Sequence, residues 1–89
     1  MKTIHKYELG PLGVGINVPL PKGSIVLSAH VQNTDIFIWA LVDTEQPTEV
    51  RQFIGYGTGW EVDEVDEDNV CFIDTVFEGP YVWHVFEVA

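Results

Sequence analysis

A single cysteine, only four basic residues against fourteen acidic ones, and no apolar run of membrane-spanning length set the first limits on this 89-residue chain. One cysteine, Cys71, cannot make an intramolecular disulfide and excludes a four-thiolate zinc site, so any core must be held by packing. Four Lys plus Arg and a formal charge of −10 cannot supply the clustered cations that a phosphate backbone requires, so no nucleic acid is expected as a partner. The same balance permits binding to a basic protein surface, including one that ordinarily holds nucleic acid. The opening residues Met1 to Glu8 are polar and alternating rather than a secretion signal, so the expectation is a cytoplasmic protein with no membrane contact. Helical periodicity is also missing: no window carries apolar residues at helical spacing with caps at both ends, and Glu45 to Gln52 has room for one turn at most.

What is present is strand signal, punctuated by breakers. Apolar residues make up 46% of the chain, enough to build a core rather than a disordered segment. Lys2 to Glu8 alternates and stops at Gly10-Pro11, and Val14 to Val18 reads as a short strand closed by Pro19 and Pro21. These two are expected to pair as a hairpin. Ser24 to Gln32 and Asp35 to Val42 are β-rich runs joined by Asn33-Thr34, the strongest hairpin signal in the chain. Thr48 to Tyr56, Val70 to Glu78 and Tyr81 to Val88 bring the total to seven, with the Gly55 to Gly59 glycines marking a bend or bulge. Seven short strands in one small domain predict an all-β fold, an antiparallel sandwich in preference to a partly open barrel.

Two strands are apolar on both faces. Ile36, Ile38, Ala40 and Val42 oppose Phe37, Trp39 and Leu41, while Tyr81, Trp83 and Val85 oppose Val82, His84, Phe86 and Val88. A two-layer domain without helices covers only the inner face of each sheet, so the outer aromatics predict a homo-oligomer, most simply a twofold dimer.

Residues suited to chemistry are few. Glu61 to Asp68 holds six acids in eight positions, but Val62 and Val65 interrupt the run and no glycine follows, so it reads as a solvated acidic loop rather than a calcium site. Gly55-Tyr56-Gly57-Thr58-Gly59 has the backbone for an anion nest, yet Trp60-Glu61-Val62-Asp63 follows where a phosphate loop would open a helix. His5, His30 and His84 are the neutral-pH bases, and no motif joins them; Ser24, Ser28 and Cys71 read as ordinary strand residues. Neither a catalytic set, a metal set nor a cofactor motif is recognisable, and no enzyme is expected. Arg51, the only arginine, is suited to a carboxylate or phosphate. Contact residues are therefore sought among Trp39, Arg51, Tyr56, Gly57, Thr58, Gly59, Trp60 and Trp83, with Tyr81 a further aromatic anchor and Trp60 placed where a core position is least expected.

Several segments together resemble a family of small uncharacterised proteins carried by bacteriophages and their bacterial hosts. They are Met1-Lys-Thr-Ile-His-Lys-Tyr-Glu-Leu9, Leu20-Pro-Lys-Gly23, Val31-Gln-Asn33, Trp39-Ala-Leu-Val-Asp43, Tyr56-Gly-Thr-Gly59 and His84-Val-Phe-Glu87. The resemblance implies a phage-type accessory protein in the host cytosol that acts by binding, engaging a host defence or regulatory protein. The alternatives are an oligomer that sequesters a small anionic, nucleotide-like ligand over the Gly55 to Gly59 segment with Arg51 as its polar handle, and a structural or virion accessory protein.

Overall fold

Strand alternation accounts for nearly all of the architecture seen in the computed structural model, which describes residues 1–62 and 67–89. Among those residues the chain forms β1 (Lys2–Leu9), β2 (Ile16–Pro21), β3 (Ile25–Gln32), β4 (Asp35–Asp43), β5 (Thr48–Gly57), β6 (Val70–Glu78) and β7 (Tyr81–Val88), with one 3-10 turn at Glu67–Asn69. A three-stranded sheet in the order β1-β4-β3 lies on a four-stranded sheet in the order β2-β5-β7-β6, and every pairing is antiparallel. The all-β sandwich expected from the sequence is the fold observed.

Side chains alternate across a strand, so one face of each sheet can be apolar and turn inward. From β4 that face is Ile36, Ile38, Ala40 and Val42, and from the other sheet it includes Leu20, Phe53 and Val85; all are buried, with Leu20, Ile38, Phe53 and Val85 among the largest fully enclosed side chains. Each such burial contributes about 1.5–3 kcal/mol before chain entropy is set against it. Asn33 and Thr34 take positive φ values of 52° and 71°, the left-handed pair of a two-residue hairpin turn, and β3 and β4 pair directly across them,.

Three expectations fail. β1 and β2 do not form a hairpin: β1 pairs with β4 and β2 with β5. The long Gly10 to Gly15 connection carries the chain from one sheet to the other, so adjacency in sequence becomes opposition across the core. Pro21 does close β2 as its last residue, but Pro19 lies inside it, because β2 is an edge strand and a proline there need not donate to the ladder,. The glycines of β5 mark no bulge either, since β5 keeps its register with β7 through Gly57. The register shifts instead between Val26 and Ser28 in β3 and between Phe72 and Asp74 in β6.

Those two bulged strands lie side by side where the sheets meet. The Ala29 N–H, which has no strand partner on that side, donates to Asp74 Oδ2 at 3.2 Å, while Asp74 Oδ1 accepts the Thr75 N–H at 2.9 Å. One carboxylate thus ties the sheets together without a continuous ladder. Both outer faces carry the expected aromatics. Phe37, Trp39 and Leu41 are half-buried, Leu41 between the exposed Ile4 and Ile25; on the other sheet Tyr56 is already covered, in an apolar cleft of about 150 Å³ that Val62, Val70 and Phe86 complete.

Replacing Asp74 by alanine leaves the Ala29 amide without its acceptor and is expected to cost about 1–3 kcal/mol. Urea denaturation should show a lowered midpoint with little change in slope, and Asp74→Asn should recover part of the loss.

Candidate functional site

The end of the sandwich formed by the last residues of β5 and the β6–β7 hairpin collects most of the sequence-derived contact residues. β5 stops at Gly57, the chain turns through Thr58 and Gly59, and the Trp60 N–H closes the turn on the Gly57 carbonyl at 3.1 Å. Gly59 has φ of +86°, which a turn of this kind reserves for glycine,. The Thr58 N–H donates to the Val82 carbonyl at 3.2 Å, so the amides of Thr58 and Trp60 are both engaged within the chain rather than turned toward an anion.

Trp60 folds back over β5 itself. A Cβ on Gly57 would stand 2.6 Å from Trp60 Nε1, and one on Gly55 would stand 2.9 Å from Leu12 Cδ1. The two strand glycines are therefore places of close approach, not bends. Trp60 meets Trp83 edge to face at a centroid separation of 5.1 Å, a geometry worth about 0.5–1.5 kcal/mol beyond burial,. Trp83 donates from Nε1 to Glu78 Oε1 at 3.1 Å and lies 6.5 Å from the Tyr81 ring. Trp60, Tyr81 and Trp83 line a cleft of about 210 Å³. On its other side Trp83 borders a second cleft, of about 390 Å³, which includes the carboxylates of Glu8, Asp35 and Glu78.

This end is strongly aromatic: Trp60 is 52% exposed and Tyr81 63%, while Phe77, 70% exposed, stands on the opposite face of the same hairpin, paired with Val82. Phe77 escaped the sequence reading. Its signal was the Gly79-Pro80 turn, which sets the residues on either side at a hairpin tip where strand alternation no longer guarantees cover. His84, on the outer face, was not linked to this region by any motif either; its ring joins Thr58 Oγ1 at Nε2 (2.7 Å) and Thr75 Oγ1 at Nδ1 (3.1 Å), so it anchors the turn to the sheet.

The remaining candidates lie elsewhere. Trp39 sits on the outer face of the three-stranded sheet, edge-on to His30 at 5.7 Å. Tyr56 is buried against Phe86. Arg51 lies six positions before Gly57 on β5, about 20 Å along an extended strand, and its guanidinium is occupied: Nε and Nη2 donate to the two carboxylate oxygens of Glu87 at 2.5 and 2.7 Å, and Nη1 donates to the Ser24 carbonyl. The Glu87 hydrogen bond raises the Arg51 pKa, with burial opposing it. Of the acidic run, Asp63, Glu64 and Asp66 lie outside the described residues.

Two substitutions probe this arrangement. Gly57→Ala should displace the Trp60 ring and reduce the near-ultraviolet circular dichroism arising from the Trp60–Trp83 pair, as Trp60→Phe should also do, with little loss of far-ultraviolet strand signal. Arg51→Ala strands the largely covered Glu87 carboxylate and should cost about 2–3 kcal/mol by chemical denaturation.

No helix among the described residues is long and apolar enough to cross a membrane. No curated protein and no solved structure matches the chain. A family model described as Domain of unknown function (DUF7352) matches residues 1–89, and the chain belongs to that family.

Proposed function

We propose that this protein is a binding module that engages another protein through the aromatic end of its sandwich. The observation that carries the reading is the joint exposure of Trp60 and Tyr81 over one cleft, both packed on Trp83, with Phe77 exposed on the opposite face of the same hairpin. Burying a large aromatic in a contact removes its apolar surface from water at little entropic cost, and Trp and Tyr dominate the few residues that hold interfaces together. In a chain this short, leaving two such side chains wet on one cleft is costly unless something covers them,.

Charge narrows the partner. Glu78 stands beneath Trp83, Glu8 and Asp35 share its second cleft, and Glu61 follows Trp60. Carboxylates around an apolar centre favour a partner surface with an apolar knob or ridge and Lys or Arg at its rim, and they speed encounter with it. Given the resemblance to phage-borne proteins, the partner we infer is a regulatory or defence protein of a bacterial host. The anion-sequestering alternative is less favoured, because Arg51 is committed to Glu87 and the turn amides of Thr58 and Trp60 are used internally.

Native mass spectrometry of the protein purified gently from a bacterial lysate tests this. A retained polypeptide is expected with the wild type and should be lost in Phe77→Ser/Tyr81→Ser, which removes exposed side chains and should leave the melting temperature within a few degrees. A small discrete added mass that survives the double substitution would replace this reading with ligand sequestration.

A further inference from the structure

Three of the four sheet edges are closed to further pairing, and one is not. In β2 the Lys22 N–H donates to the Pro47 carbonyl at 2.7 Å, which fixes the even-numbered residues toward β5 and turns Asn17, Pro19 and Pro21 to the open edge. Two prolines there offer no N–H, a common protection of an exposed strand. The edges of β3 and β6 lie beside each other, both bulged, with Asp74 holding the Ala29 amide.

β1 has none of these devices. It contains no proline, glycine or bulge, and it pairs with β4 without a break from Lys2 to Leu9. The Thr44 N–H donates to the Met1 carbonyl at 2.9 Å, so the odd-numbered residues face β4 and the backbone groups of Lys2, Ile4, Lys6 and Glu8 face outward,. The side chains of these four are exposed, as is that of His5.

We propose that a second copy of this chain pairs antiparallel along β1, about a twofold axis at His5, joining the two three-stranded sheets into one. The charge pattern selects this register. With His5 opposite its symmetry mate, Lys2 of each copy stands across from Glu8 of the other, and Ile4 stands across from the aliphatic stem of Lys6. Sliding by two residues in one direction sets Lys2 against Lys6; sliding in the other sets Lys6 against itself. A slide of four sets Lys6 against Glu8 but pairs only residues 5–9 of β1; of the registers that pair Lys2 through Glu8, only the His5-centred one turns every charged pair attractive, and by symmetry it does so twice,. On the outer face it also brings the two copies of Ile4, Leu41 and Trp39 onto one continuous surface. This contact is separate from the aromatic end and does not depend on it.

Sedimentation equilibrium under reducing conditions, which keep the exposed Cys71 from linking copies, tests the proposal over micromolar concentrations. The wild type should reach twice its 10.0 kDa mass. Ile4→Pro removes an outward N–H without touching the β1–β4 ladder and should weaken association by roughly tenfold or more. Should that variant fold poorly, the charges decide: Lys2→Glu and Glu8→Lys should each weaken association by roughly tenfold, and the two combined in one chain should restore it. Phe77→Ser/Tyr81→Ser should leave the dimer unchanged. A monomer at every concentration, a dimer indifferent to the single charge reversals, or a double reversal no tighter than the singles would each overturn the proposal.

Discussion

Everything else in this molecule depends on two inner faces finding each other. Among the described residues neither sheet has a helix to cover it, and with one cysteine no disulfide can hold them together, so Leu20, Ile38, Phe53 and Val85 must exclude water by contact between layers,. That requirement dictates the topology. β1 and β2, adjacent in sequence, are divided between the layers, and Leu12 in their connection drops against Gly55, where any Cβ would be in the way.

A sandwich leaves edges, and the chain treats them by different means. Prolines blunt β2, where a proline in a central strand would have broken the ladder,. At the seam of β3 and β6, bulges prevent a regular ladder that would have rolled the sheets into a barrel, and Asp74 satisfies the amide thereby stranded. A buried or half-buried N–H without an acceptor costs as much as a lost hydrogen bond, so the carboxylate and the bulge belong to one solution. Only β1 keeps a regular, unblocked row of backbone groups.

The aromatic end shows how core and surface merge in so small a domain. Trp83 packs against the core on one side and carries Trp60 on the other, while its indole N–H is satisfied by Glu78. The exposed rings of Trp60 and Tyr81 are therefore held by a side chain that cannot move without disturbing the interior. Side chains held in this way have already given up much of their freedom, so covering them would order little more.

Strand number, strand positions, the β3–β4 turn and the sandwich class were all legible in the sequence, because they follow from local alternation and from turn residues whose backbone preferences act over a few positions. That Trp60 stands outside any strand was legible too, and it lies in the turn after β5. What the sequence could not reveal were relations between distant residues. That Pro19 and Pro21 lie within a strand depends on β2 being an edge, and that Gly55 and Gly57 are seats for Leu12 and Trp60 depends on which loops fold back. Arg51 looked available until Glu87, on a neighbouring strand, was placed beside it. Alternation by itself determined which residues turn inward; only the pairing of strands far apart in the chain decided which of them meet, because register and sheet order are settled by the packing of whole faces and not by any segment alone.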